Sequence, residues 1–168
     1  MLEVNIPGFG ELKIKHIVFD LNGTLSMNGE IDPALPNMIK ELKLRGLNVY
    51  ILSADTRGKL NELAKKLGAE PHKLTFKMRE SEEKANFIKQ LNPNSVIAVG
   101  NGINDALMLK EARLGICIIG KEGAAVSALL NSDICVNSPK EALNILLDPI
   151  HLIATLRNSQ LERNSQLK

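Results

Sequence analysis

Short apolar runs that do not alternate with polar residues constrain this chain most. They cover residues 16–20, 47–53, 95–100, 114–119 and 133–136, and each is followed by a stretch with helical spacing. A strand that is apolar on both sides has to be covered on both faces, which is the condition of a parallel sheet between helices. Strands that alternate with helices pair in parallel through right-handed crossovers. The expected architecture is therefore α/β, a three-layer, doubly wound, mostly parallel sheet. Asp32-Pro33 reads as a helix start, a cap residue followed by Pro at the first helical position. Met38, Ile39, Leu42 and Leu44 follow at helical spacing, and Gly46 stops the run. Asp55 or Thr56 caps a helix through Leu67 that ends at Gly68. Further helices are predicted at 80–91, 104–112, 122–130 and 138–147, and a further strand at 73–78. Leu2–Ile6 and residues 11–15 flank Pro7-Gly8-Phe9-Gly10, the pattern of an N-terminal β-hairpin. No shift in composition marks a linker, so residues 1–156 read as a single domain. Residues 157–168, RNSQLE followed by RNSQLK, read as a polar tail, frayed or disordered.

Charge and aromatic content narrow the function. Lys and Arg number 21 against 19 Asp and Glu, so the chain lacks the concentrated basic excess of a nucleic-acid-binding domain. With no Trp, one Tyr and four Phe it also lacks stacking platforms for bases, and no nucleic-acid partner is expected. No apolar run is long enough to span a bilayer, and Met1-Leu2-Glu3-Val4-Asn5 has neither a basic start nor an apolar core, so no membrane partner or secretory signal is expected. Cys117 and Cys135 lie in separate apolar runs and read as buried residues of a reducing compartment. A cytoplasmic location follows from these readings.

In a doubly wound sheet, ligands bind beyond the carboxyl ends of the strands. After the first parallel strand stands Asp20-Leu21-Asn22-Gly23-Thr24-Leu25, after the second Ser53-Ala54-Asp55, and after the fourth Gly100-Asn101-Gly102-Ile103-Asn104-Asp105. Lys84 lies on the helix before that fourth strand. Alone, Lys84 would be a solvated position on a charged helix face, Asp20 a strand end and Asp55 a helix cap. Together they map to one rim, and the set suits a phosphoryl group. A carboxylate at a strand end is a nucleophile or a metal ligand. The Gly23-Thr24 turn offers backbone N–H groups to anionic oxygens. Ser53 offers a hydroxyl, Lys84 a positive point charge, and Asp105 a second carboxylate for a hard cation. Phosphoryl transfer needs positioning and charge neutralisation above all. His16, His72 and His151 have no ligand spacing, and Phe19 and Met108 read as core.

On these residues the chain resembles the haloacid dehalogenase superfamily over nearly its whole length. The pattern D-x-x-G-T-L is met by Asp20, Gly23, Thr24 and Leu25; the second motif by Ser53; the third by Lys84; and G-x-G-x-N-D by Gly100, Gly102, Asn104 and Asp105. The stretches ILSADT at 51–56 and GNGINDALML at 100–109 are most similar to the phosphorylation domain of P-type ATPases. The resemblance implies a Rossmann-like sheet without a cap domain. It also implies that Asp20 would be a nucleophile forming an aspartyl-phosphate, with Asn22, Ser53 and Lys84 completing the catalytic set. Gly23, Thr24, Ala54 and Asn104 would line the phosphate. Asp20, Asn22 through its carbonyl, Asn101 and Asp105 would hold Mg²⁺.

Two departures set this chain apart. Where the superfamily's phosphatases carry an acid two residues after the nucleophile, this chain has Asn22, and an amide cannot donate and retrieve a proton at neutral pH. Where the family carries a metal-ligating carboxylate, it has Asn101, which coordinates without charge. Both precede Gly, a local sequence prone to deamidation. Residues 26–52 and 54–83, where capping domains enter, have room only for a flap at 26–31. The nucleotide-binding domain of an ATP-driven pump is absent, so a pump is not expected. Without a cap, a second copy covering the site is the expectation, with the apolar segment Ile150–Leu156 as a contact surface. Two chemical functions remain open, beside a third reading as a structural assembly subunit, a stable oligomer indifferent to Mg²⁺ and phosphate. One is a slow Mg²⁺-dependent phosphohydrolase or phosphotransferase of small phosphorylated molecules or acyl phosphates. The other is a catalytically impaired phosphate-binding or regulatory module of the same fold.

Overall fold

The six-stranded parallel sheet of the computed structural model follows from where its strands place their side chains. The structure describes all residues except 27–29, 57, 76 and 159–168. An antiparallel hairpin, β1 (Leu2–Ile6) and β2 (Gly10–Ile14), precedes the sheet strands β3 (His16–Asp20), β4 (Asn48–Ser53), β5 (Glu70–Lys73), β6 (Val96–Gly100), β7 (Leu114–Ile118) and β8 (Ile134–Val136). Their spatial order is β5-β4-β3-β6-β7-β8, all parallel. The order reverses at β3, which lies between β4 and β6 at the centre of the sheet. That is the topological switch point where such sheets bind ligands.

Alternate residues of β3, β4, β6 and β7 serve two separate cores. Ile17, Phe19, Val49, Ile51, Ile97, Val99 and Ile116 point to one face, with the hairpin and helices α1 (Leu35–Leu44), α2 (Leu60–Leu67), α6 (Pro139–Leu147) and α7 (Ile150–Leu156). Val18, Leu52, Val96, Ala98 and Cys117 point to the other, with α3 (Glu80–Gln90), α4 (Ala106–Glu111) and α5 (Val126–Leu130). This is why the runs read as continuously apolar. Among the described residues no helix is long and apolar enough to cross a membrane.

Several expected boundaries move, each for a local reason. β5 occupies 70–73, not 73–78. Its residues, Glu-Pro-His-Lys, carry no aliphatic side chain to signal a strand, and as an edge strand it tolerates Pro71 and exposure. α1 starts at Leu35, not Pro33, because the Asp32 carboxylate accepts the Ala34 N–H at 2.8 Å and Pro36 occupies the first turn. α2 starts at Leu60, after the Asp55 carboxylate has accepted the Leu60 N–H at 2.9 Å, and closes on left-handed Gly68. α5 starts at Val126, not 122, because residues 120–123 make a tight turn with Gly123 at φ 80°. Cys117 is buried as expected, but Cys135 is exposed: on the edge strand β8, Ile134 and Val136 take the inner positions and Cys135 the outer one. Segment 150–156 forms α7, whose Leu152 is buried in this chain's own core, leaving Ile150 exposed. The expected turn at Asn28-Gly29 and the tail beyond 158 lie outside the described residues.

Packing in the larger core gives a direct stability contrast. Leu143→Ala, at a fully buried position of α6, is expected to cost about 2–5 kcal/mol. Leu44→Ala, at a residue 79% exposed, should stay within about 0.5 kcal/mol. Urea denaturation of both variants checks the contrast.

Candidate active site

The parallel register brings the polar residues to one rim. Asp20 ends β3 opposite Leu52 of β4, so Ser53 lies one step beyond it; Gly100 ends β6 on the other side. From α3, the Lys84 side chain reaches this rim without any exposure to solvent. Its Nζ donates to Asp20 Oδ1 at 2.7 Å and to Asp105 Oδ1 at 2.8 Å, and lies 3.2 Å from Glu80 Oε1, one helical turn back. Burying an ammonium is costly unless it is paired and hydrogen-bonded; two carboxylates accept hydrogen bonds from it and a third pairs with its charge.

Asp105 is fully buried, and its second oxygen accepts the N–H groups of Asn101 and Gly102, both at 2.9 Å. Both of its oxygens are therefore engaged by protein donors. Gly100 has to be glycine here, because a Cβ would lie 2.6 Å from the Asp105 carboxylate. The Asn104 amide donates to Glu80 Oε1 at 2.7 Å, so Glu80 holds both Lys84 and Asn104. Sequence reasoning missed Glu80; its signal was the i, i+4 spacing to Lys84.

The chain leaves β3 in a tight turn. Gly23 sits at φ 81° and donates its N–H to the Ser26 carbonyl at 2.9 Å, so that N–H is not open to an anion as expected. Leu25 and Ser26 N–H groups go to the Leu21 carbonyl. Among the described residues no hydrogen bond uses the N–H of Asn22 or Thr24, or the Asn22 carbonyl. Asn22 is exposed, and buried Thr24 donates its hydroxyl to Asn101 Oδ1 at 3.2 Å. Ser53 is buried; its Oγ accepts the Asp55 N–H at 3.0 Å and keeps its own proton to donate. Ala54 is half-buried beside it. Asp55, at φ 52°, serves the start of α2, the helix-cap role expected of it, and the Leu60 N–H keeps its carboxyl below the ordinary value.

Glu122, on the turn after β7, is the second residue that sequence reasoning missed, since its position reads as helical. Its Oε2 and the Asn101 amide lie against one face of Gly23, 3.0 and 2.7 Å from where a Cβ would stand. Beside this turn opens a cavity of about 470 Å³ lined by Gly23, Thr24, Ile31, Ile118, Lys121 and Ser138, among others.

Burial first, then the Asp105 carboxylate, push the Asp20 carboxyl up to about 7 against the pull of Lys84. Burial works to lower Lys84, but Asp20 and Asp105 prevail and raise it above the ordinary lysine value. Among the described residues no group of three His, Cys, Asp or Glu side chains forms a metal cluster. Oxygens of the Asp20 carboxylate, the Asn22 carbonyl and the Asn101 amide are of the hard kind that Mg²⁺ takes, with one charge among them. The three histidines stand elsewhere: His16 by Asn48, His72 against Phe87 and His151 by Asp148.

A profile of haloacid dehalogenase-like hydrolases matches residues 26–113, more than half of the chain. An uncharacterized protein of Methanocaldococcus jannaschii is 51% identical over 72 residues, covering 42% of this chain and 77% of that one. The chloroplastic copper-transporting ATPase PAA1 of Arabidopsis thaliana is 36% identical over 90 residues, 52% of this chain and 9% of the transporter. A soluble P-type ATPase-like phosphatase of M. jannaschii is 27% identical over 141 residues, 82% of this chain. This chain thus spans only 51% of that phosphatase's length and a small part of the transporter's. Among solved structures, the cobalt-bound deoxy-D-mannose-octulosonate 8-phosphate phosphatase of Haemophilus influenzae superposes with TM-score 0.67 over 93% of this chain and 98% of that one. It is 15% identical and so shares the fold.

Two consequences of the buried cluster are measurable. Asp105→Ala leaves Lys84 short of a partner and two N–H groups unmet, and is expected to cost about 3–5 kcal/mol in urea denaturation. Asp20 is held above its ordinary value of 3.8, at about 7, so the folded state binds the extra proton between those values and stability falls as pH rises through that window. Asp20→Asn removes this loss. Without divalent cation, its melting temperature should gain on wild type at pH 8 relative to pH 5.

Proposed function

Because the chain belongs to the haloacid dehalogenase-like hydrolases, we propose that it is a divalent-cation-dependent phosphohydrolase or phosphotransferase. It works through an aspartyl-phosphate on Asp20 and acts slowly on small phosphorylated molecules or acyl phosphates. The observation that carries this reading is the buried Lys84 bridging Asp20 and Asp105 at the carboxyl end of the central strands.

In this reading an Asp20 carboxylate oxygen attacks phosphorus as the bond to the leaving group breaks. Lys84 keeps positive charge beside the attacking carboxylate. The Ser53 hydroxyl and the N–H groups of Asn22 and Thr24 are the donors available to the phosphoryl oxygens, and Asn104 is steered to the same rim by Glu80. Ala54 and Gly23 give close backbone approach. Asp105 braces the 100–105 loop and Lys84; with both oxygens engaged, it is assigned to that role and not to the cation. A divalent cation held by Asp20, the Asn22 carbonyl and Asn101 would offset the charge on the transferring oxygens. Asn22 cannot protonate the leaving group or deprotonate the hydrolytic water, so both half-reactions lack general catalysis. The cavity beside Gly23 and Thr24 takes the organic part of the substrate. A second copy of the chain covering this open rim, and a cytoplasmic location, complete the reading. The departures at Asn22 and Asn101 favour the second reading, a phosphate-binding module that has lost turnover.

Phosphate release from a panel of phosphate esters and acyl phosphates, with Mg²⁺ and protein whose intact mass excludes deamidation, tests the choice. Asp20→Asn is expected to abolish release. Asn22→Asp is expected to raise it by about 10²–10⁴-fold. Turnover unchanged in Asp20→Asn would refute the aspartate mechanism, and no turnover in wild type would favour the binding module.

A further inference from the structure

We propose that Glu122 is the anionic ligand of the cation site, supplying from the turn after β7 the charge that Asn101 lacks. The inference rests on the reading above that a divalent cation binds at Asp20.

Charge counting motivates it. Of the two carboxylates nearest Lys84, Asp105 is spent on protein donors, and Asp20 shares one oxygen with the ammonium. The Asn22 carbonyl and the Asn101 amide add no charge. A dication there would face a single carboxylate already paired to a lysine, and affinity for hard cations falls as charged ligands are removed.

The geometry supplies the missing carboxylate. Gly23, with no side chain and φ 81°, leaves open a face whose three nearest atoms are all polar. A Cβ there would meet Asn101 Nδ2 at 2.7 Å, Glu122 Oε2 at 3.0 Å and Asn101 Oδ1 at 3.1 Å. The Glu122 carboxylate thus lies beside the amide that replaces the acid, over the residue that follows Asn22. The turn carrying it is fixed at both ends. The Gly123 N–H donates to the Gly120 carbonyl at 2.9 Å, and the Ala125 N–H donates to the carbonyl of Asn101 itself at 2.8 Å. Among the described residues Glu122 makes no hydrogen bond or ion pair, so its charge is not consumed by the fold.

Calorimetric titration of Mg²⁺ into wild type, Glu122→Gln, Asn101→Asp, the double variant, Asp20→Asn and the exposed α3 control Glu82→Gln tests this. Glu122→Gln is expected to weaken Mg²⁺ binding about tenfold or more. Asn101→Asp in the Glu122→Gln background should restore it, and Glu82→Gln should change nothing. Affinity unchanged in Glu122→Gln but lost in Asp20→Asn overturns the role of Glu122 and leaves the cation reading standing. Loss of turnover in Glu122→Gln at full Mg²⁺ affinity overturns that role too, because the carboxylate would then act on substrate. No Mg²⁺ uptake by wild type overturns both.

Discussion

An ammonium group removed from water, that of Lys84, sets the terms for the whole rim. Leaving it unpaired would cost several kcal/mol, so the fold must deliver carboxylates to it, one from its own helix and two from other elements of the chain. Asp20 comes from the end of β3, Glu80 from one turn back on α3, and Asp105 from the loop after β6. Each of these last two has a further partner that extends the constraint. Asp105 fixes the backbone of Asn101 and Gly102, and Glu80 fixes the Asn104 amide. Asn101 in turn receives the Thr24 hydroxyl from the first loop and, through its carbonyl, the N–H of Ala125. Segments from across the chain thus take their positions from one buried charge. Buried ion pairs contribute little net stability, so the return on this arrangement is geometric: a carboxylate held in place at the switch point of the sheet.

The legible part of the molecule is the part dictated by burial. Strands buried on both faces must be apolar throughout, so β3, β4, β6 and β7 stand out, and the polar residues that terminate them stand out for the same reason. Asp20, Ser53 and Asp105 can be read as one rim from sequence because a doubly wound sheet gathers its strand ends. β5 cannot, since an edge strand of Glu-Pro-His-Lys satisfies no burial pattern. Cys135 departs from its expected burial because edge strands restore the alternation that central strands lose. Glu80 and Glu122 are illegible for a different reason. Each looks like one more surface acid; only the helix register of α3 turns Glu80 to Lys84, and only the Gly120–Gly123 turn sets the exposed Glu122 with its carboxylate against Gly23.

The two asparagines change the chemistry more than the fold. Neither Asn22 nor Asn101 disturbs the backbone: Asn22 keeps its place in the turn bridged to Ser26, and Asn101 keeps its hydrogen bond to Thr24. What is lost is charge and a titratable proton. In the proposed reading, a site stripped of both keeps its means of recognising a phosphoryl group, namely Lys84, Ser53 and the open N–H groups. In the same reading it lacks the acid and the charge that speed turnover. The open separation between holding and hydrolysing therefore falls on two side-chain atoms, an amide nitrogen in place of a carboxylate oxygen at each position.

Loss of the acid also bears on which phosphates such a site could cleave. A departing alkoxide needs its proton delivered as the bond breaks, and Asn22 has none to give. A departing carboxylate does not, because it is already a stable anion at neutral pH. The aspartyl-phosphate proposed on Asp20 is itself an acyl phosphate, so transfer from an acyl phosphate exchanges one carboxylate for another with little change in leaving-group stability. The chemistry left at this rim is therefore best matched to substrates that bring their own good leaving group. On the proposed mechanism the slow step would be hydrolysis of the aspartyl-phosphate, where the attacking water must still lose its proton without help from residue 22.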